Sequence, residues 1–199
     1  MIYSDCLIYL SKKDAVLRRI IKELPPLTFK KKRGGFDAIV KIITGQQLSG
    51  KAAESIFNRL RALNNGKPLT PEFVDRIADT TLREAGLSTA KIIAVRALIE
   101  KIASKELRIY RFSKMTDEEI TEAITQVKGL GPWSAQMYLM FVLHRPDVFP
   151  INDLGIKRSV QRLYEVEATV DELIALSDKW RPHRTTAAWY LWHSLANRP

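Results

Sequence analysis

The chain is short of the residue types on which metal, redox and secretory chemistry depend. Its one cysteine, Cys6, excludes an intramolecular disulfide framework and any four-cysteine metal or iron–sulfur site. Three histidines, His144, His183 and His193, are too scattered for a zinc motif. Long apolar runs are missing too. The longest stretch without Lys, Arg, Asp or Glu runs from Gly129 to His144 and is broken by Gly, Pro, Ser and Gln. It falls short of the ~20 apolar residues that a spanning helix needs. No basic-then-apolar leader opens the sequence, so a soluble intracellular protein is expected, in cytoplasm or nucleoid, or in the nucleus of a eukaryote. No run of alternating β-branched residues is long enough for a strand, and there is neither an internal repeat nor a low-complexity linker.

Acidic residues are also in deficit. Against 32 Lys+Arg stand 22 Asp+Glu, a net charge of +10 over 199 residues. The excess lies almost wholly in the first third: through Lys67 there are 14 basic and 5 acidic residues. That third includes the run Lys30-Lys31-Lys32-Arg33. Alone, such a run reads as a solvated loop. A surplus of this size favours an anionic partner, and nucleic acid leads because phosphate contacts dominate its binding.

What is present is helical periodicity. Asp14 to Leu24 carries Val16, Leu17, Ile20, Ile21 and Leu24 on one stripe. Phe36 to Thr44 reads as a short buried helix. Ser49 can cap a helix with Ala52, Ala53, Ile56, Leu60 and Leu63 on its apolar face. Short helices are expected over Pro71 to Ala78 and Thr81 to Ala85, then a long one from Ser88. Thr116-Asp117-Glu118-Glu119 has the form of a capping box. Further helices are expected over Leu154 to Tyr164, Asp171 to Trp180 and Thr185 to Leu195. The fold class is therefore all-α, with about ten helices joined by short turns and the apolar fraction of 46% supplying the core.

Between two of these helices lies Val127-Lys128-Gly129-Leu130-Gly131-Pro132-Trp133-Ser134-Ala135. Two glycines two residues apart permit a tight backbone, and Pro132 suits the first turn of the next helix. Such a turn aims backbone N–H groups outward at a helix N-terminus, a natural phosphate site. Taken alone, the same residues make an ordinary helix–turn–helix corner. Asp153, before another helix, reads by itself as an N-cap.

The combination says more. The hairpin, Gly45-Gln46-Gln47-Leu48-Ser49, Val148-Phe149-Pro150-Ile151-Asn152-Asp153-Leu154 and Trp180-Arg181-Pro182-His183-Arg184-Thr185 follow one another in an order and spacing that nearly span the chain. Together they resemble the helix-hairpin-helix DNA glycosylase superfamily, and within it the alkylation-repair branch typified by 3-methyladenine DNA glycosylase II. Bacterial members of that type carry an additional N-terminal α/β lobe, so a minimal form without it is expected. The resemblance implies two helical lobes with the active-site cleft between them: a central lobe of residues 36–145 and a second formed by 1–35 plus 146–199.

It also implies roles. Asp153 becomes the catalytic carboxylate, offsetting positive charge on the deoxyribose as the glycosidic bond breaks. Trp133 stands where bifunctional members place a nucleophilic lysine. An indole cannot form a Schiff base, so base release without strand cleavage is expected. Trp133 and Trp192 correspond to tryptophans that line the alkylpurine pocket, whose faces suit a flat cationic base. Met137 takes the place of a pocket tyrosine. Gln46, Gln47, Leu48 and Ser49 match the loop that enters DNA, with Gln47 or Leu48 as the wedge. Lys128, Gly129, Leu130 and Gly131 match the phosphate-gripping hairpin. In relatives a monovalent cation, Na or K, bridges hairpin carbonyls that map to Thr125, Val127 and Leu130; no other cofactor is implied. Cys6 reads as buried, His183 as packing or a phosphate contact, and Trp180 and Trp189 as core.

The function expected is a monofunctional DNA N-glycosylase acting as a monomer on double-stranded DNA that contains alkylated purines. Two alternatives stand beside it: a non-catalytic, structure-specific DNA-binding module, and a glycosylase for deaminated or etheno purines.

Overall fold

The computed structural model describes residues 3–27 and 34–196. These form twelve α-helices and one 3-10 helix, with no strand among the described residues. In chain order they are α1 (Tyr3–Lys13), α2 (Ala15–Glu23), α3 (Phe36–Gly45), α4 (Gly50–Ala62), α5 (Pro71–Asp75), α6 (Asp79–Glu84) and α7 (Thr89–Ala103). The 3-10 helix (Ile109–Lys114) follows, then α8 (Asp117–Thr125), α9 (Pro132–Phe141), α10 (Leu154–Tyr164), α11 (Val170–Asp178) and α12 (Arg184–Ala196). The all-α expectation holds.

Capping explains most of the boundaries. Asp14, Ser49, Thr70, Ser88, Thr116, Asp153 and Thr169 each accept the backbone N–H three residues on. Thr116 with Glu119, and Thr169 with Glu172, close reciprocal capping boxes. The second box starts α11 at Val170, one residue earlier than periodicity alone suggests. The helix expected over Pro71 to Ala78 stops at Asp75 instead. Arg96 of α7 takes the carbonyls of Val74, Asp75 and Ile77, which ends α5 and turns the chain into α6. Helix α1 was not expected from the sequence: it has a narrow buried stripe, Cys6 and Leu10.

The described residues fall into two compact units, 3–27 with 144–196, and 34–143. In the first, Leu10, Leu17, Ile20, Ile156, Val160, Leu173, Trp180 and Leu191 are buried. Asp14 lies among them, 8% exposed, and its carboxylate is fully used. Oδ1 caps α2, while Oδ2 accepts the Tyr164 hydroxyl at 2.8 Å and the Trp180 indole N–H at 3.0 Å. Burial and the neighbouring Asp14 charge push the Tyr164 hydroxyl far up, so it remains a donor. The N-terminal helices are thereby joined to α10 and to the end of α11.

In the second unit, Ile39, Val40 and Ile43 of α3, Phe57 and Leu60 of α4, Val95 and Leu98 of α7, Ile120 and Ile124 of α8, and Tyr138, Leu139 and Met140 of α9 make the core. Each such side chain contributes roughly 1.5–3 kcal/mol on burial. The Tyr138 ring meets Phe112 edge-on at 5.4 Å, and its hydroxyl accepts the Gly35 N–H at 3.3 Å.

Candidate active site

Asp153 is the N-cap of α10 and half-buried. Two donors converge on one of its oxygens. Oδ1 accepts the Ile156 backbone N–H at 2.9 Å and the Trp192 indole N–H at 2.8 Å. A helix N-terminus and two N–H donors suit a negative carboxylate. Gly155 makes the arrangement fit. A Cβ at that position would lie 2.9 Å from Trp192 Cδ1, 3.1 Å from its Nε1 and 3.0 Å from Asp153 Oδ1. Only a residue without a side chain lets the indole come this close.

The segment before Asp153 is clamped by the Trp180–Thr185 motif. Arg184 grips Asp147 with two nitrogens, Nε to Oδ1 at 2.8 Å and a terminal nitrogen to Oδ2 at 3.0 Å. Arg181 adds a third contact to Asp147 Oδ2, also at 3.0 Å. The Thr185 hydroxyl donates to the Arg145 carbonyl at 2.7 Å and accepts the Val148 N–H at 3.0 Å. Burial alone would raise the Asp147 carboxyl, but hydrogen bonding and charge from Arg184 outweigh it and hold it below the usual range. His183 packs edge-on against Tyr9 at 5.2 Å, as the packing reading expects.

In the other unit, α8 ends at Thr125 and the chain turns through residues 126–131 into Pro132, the first residue of α9. Gly129 has φ +88, and a Cβ there would sit 2.8 Å from the Ala94 Cβ. Glycine is required twice over, for conformation and for space. The Leu130 N–H closes the turn onto the Val127 carbonyl at 3.0 Å. Among the described residues, the N–H groups of Gly129 and Gly131 donate to no acceptor. Lys128 and Gly129 are exposed, whereas Leu130 is 5% exposed and faces inward. Leu130 could therefore meet a ligand only through its backbone.

The loop at 45–48 is a tight turn, with the Leu48 N–H bonded to the Gly45 carbonyl at 3.2 Å. Gln46 has φ −54 and ψ 128, and Gln47 has φ +56, the pattern of a type II turn. Glycine or Asn usually fills the position that Gln47 occupies. Gln47, Leu48 and Ser49 are exposed. Gln46 is half-buried and reaches the hairpin, its Nε2 donating to the Gly129 carbonyl at 3.0 Å and the Ser134 hydroxyl at 3.2 Å.

Other assignments come out differently from one another. Cys6 and Trp180 are buried, as expected. Trp189, expected in the core, is half-buried and stacks on His193 at 3.5 Å between centroids. Trp133 is half-buried, and Met137 is 6% exposed. The Lys30–Arg33 run lies outside the described residues. The described residues contain no group of three or more His, Cys, Asp or Glu placed to hold a metal ion. Sequence reasoning missed Gly155, Asp147 and the reach of Gln46. Of these, only the Arg-rich motif at 181–184, which needs an acidic partner, left a usable signal.

Residues 40–182 match the family of HhH-GPD superfamily base excision DNA repair proteins. The chain belongs to that superfamily. The matched HhH-GPD segment includes the 45–48 turn, the hairpin and Asp153. The chain is 33% identical to DNA-3-methyladenine glycosylase 1 of Schizosaccharomyces pombe, over 93% of this chain and 84% of the relative. The solved structure of the 3-methyladenine DNA glycosylase Mag1 of that yeast, in complex with abasic DNA, is similar with a TM-score of 0.89 and 32% identity, covering 97% of each chain. A DNA-3-methyladenine glycosidase structure from Bacillus halodurans is similar with a TM-score of 0.74 and 33% identity, covering 94% of this chain and 86% of that one.

Proposed function

We propose that the protein is a monofunctional DNA N-glycosylase that excises alkylated purines of the 3-methyladenine type from double-stranded DNA and leaves an abasic site. One observation carries the reading: a carboxylate, Asp153, held at the N-terminus of α10 by two N–H donors on one oxygen. A purine alkylated on a ring nitrogen is already cationic, so it leaves as a neutral base with the electron pair of the C1′–N bond. The deoxyribose is left as an oxocarbenium-like cation, which the Asp153 anion stabilises. Water then adds to C1′ and releases a proton. Trp133 and Trp192 offer aromatic faces to the cationic base, with Met137, one turn after Trp133 in α9, as the substitute for a pocket tyrosine.

Lyase activity is absent from this proposal because Trp133, at the position of the lysine nucleophile in bifunctional members, cannot form a Schiff base. The hairpin N–H groups of Gly129 and Gly131 would hold a DNA phosphate, and Lys128 would add charge. A Na or K ion on the main-chain carbonyls of Thr125, Val127 and Leu130 fits the donor chemistry. The Val127 carbonyl spends one lone pair on Leu130 and keeps another, and hard oxygen donors suit such ions. Held by these carbonyls, such an ion would supply positive charge beside the hairpin N–H groups. Of the two candidate wedges, Gln47 is favoured over Leu48, because it holds the left-handed turn position that a non-glycine residue occupies only at a cost.

Asp153→Asn tests the reading. Asn keeps an oxygen for Ile156 and Trp192 while the charge is removed. Release of methylated bases should fall by at least about 100-fold, with binding to an abasic-analogue duplex kept within a few-fold. Normal turnover by this variant would overturn the assignment. A panel of duplexes with 3-methyladenine, hypoxanthine or ethenoadenine, together with borohydride trapping, separates the alternative lesions and any lyase.

A further inference from the structure

We propose that Gln46 is a positioning residue that locks the 45–48 turn to the hairpin, so that the wedge and the phosphate grip move as one body. This rests on the reading of both segments as DNA contacts. It departs from the expectation that Gln46 itself touches DNA.

Three observations lead there. The Gln46 amide nitrogen already has two acceptors on the hairpin side, the Gly129 carbonyl and the Ser134 hydroxyl. Both are firmly placed: Ser134 is 2% exposed, and Gly129 is fixed against Ala94 by its lack of a side chain. The residue that leads into the turn has a strut as well. Lys91 of α7 donates to the Thr44 carbonyl at 2.8 Å, in the last turn of α3, where a cation meets the helix C-terminus. Partial burial pulls the Lys91 ammonium down from its usual range. Finally, the turn is strained at Gln47, with φ +56. Strain persists only where neighbours over-determine the conformation. The Gln46 side chain and Lys91, which holds Thr44, are the neighbours that do so, both on the N-terminal side of the strained residue.

The separation between the turn tip and the hairpin N–H groups is therefore set by side-chain bonds inside one unit. A nucleotide can be displaced by the tip only if its phosphate is held at the matching distance. Gln46 converts two separate contacts into one fixed gauge.

The test uses the full chain with Gln46→Ala, Ser134→Ala and the double variant. Hydrogen exchange of residues 44–49 and 127–134 is read without DNA. Insertion is then read as 2-aminopurine fluorescence beside a tetrahydrofuran abasic analogue in duplex DNA. Gln46→Ala should speed exchange in both segments and weaken insertion, each by about 5- to 10-fold, with affinity for undamaged duplex within about two-fold of wild type. Ser134→Ala should give part of this, and the double variant no more than Gln46→Ala alone. Ser134→Ala also serves if Gln46→Ala fails to fold. Unchanged exchange with lost insertion would make Gln46 a direct DNA contact and overturn the proposal. Raised exchange with normal insertion would reduce it to a packing role and overturn it equally. If wild-type protein inserts nothing, the DNA reading fails while exchange still reports on the strut.

Discussion

The Asp153 segment and the hairpin, the two parts of the proposed DNA site, are held in opposite ways. Asp153 is fixed through its side chain: Trp192 and Ile156 bond its oxygen, Gly155 leaves the room, and Arg184, Arg181 and Thr185 clamp the approach. The hairpin is fixed through its backbone, by a left-handed glycine, a closing N–H bond and a proline. The contrast follows from what each offers. A carboxylate acts through two atoms at the end of a rotatable chain, so its rotation must be restrained. Backbone N–H groups have no such freedom, and the turn geometry alone aims them. Glycine serves both regions, for different reasons: Gly155 for space, Gly129 for space and for φ.

The strongest test of this contrast is Gly155→Ala. Its Cβ would displace the indole from Oδ1 without removing any charge. A hydrogen bond to a charged group is worth about 1.5–3 kcal/mol, so excision at saturating DNA should fall roughly 30-fold while affinity for an abasic duplex changes little. Trp192→Phe keeps an aromatic face, though a smaller one, and removes the N–H; a loss of about 10-fold is expected. If Trp192→Phe turned over like wild type, Trp192 would serve by stacking alone and the restraint on Asp153 would lie elsewhere.

Gly129→Ala should do the reverse. The left-handed φ and the 2.8 Å contact with Ala94 predict a stability loss of about 1–3 kcal/mol, seen as a lower urea midpoint. DNA affinity should drop while single-turnover excision at saturation stays near normal. Ala94→Gly removes the contact and leaves the φ. The double variant should therefore lose less than the sum of the two singles. Full additivity would mean that the close approach is not what demands glycine here.

Much of the fold was legible because helices with polar caps and broad apolar stripes declare themselves locally. Thr116 and Asp153 are caps in sequence and in structure, and α10 runs from Leu154 to Tyr164 as periodicity suggests. Helix α1 escaped because its buried stripe is narrow, and α5 was read too long because its end is set by Arg96, 21 residues beyond Asp75 in sequence. The candidate site divides the same way. The hairpin and Asp153 could be found from their motifs, since turns and caps are local. Gly155 could not, because a glycine inside a helix carries no sign of the indole that will lie over it. The same holds for Gln46, whose partners, Gly129 and Ser134, are more than eighty residues along the chain.

The smallest effect expected is that of pH on the clamp. Asp147 is held below the usual carboxylate range, since Arg184 more than offsets the cost of burial. A depressed carboxyl contributes stability that is fully present above its unfolded value of about 3.9 and is lost as pH falls through the lower folded value. Asp147→Asn retains one oxygen acceptor but not the charge, and should cost about 1 kcal/mol at pH 7, a few degrees in Tm. The difference between variant and wild type should be constant from pH 7 to about pH 5 and shrink only below about pH 4, because only there does Asp147 of the unfolded chain take up a proton that the folded chain does not. A gap that closed well above about pH 5 would mean that a group other than Asp147 sets the pH dependence of the clamp.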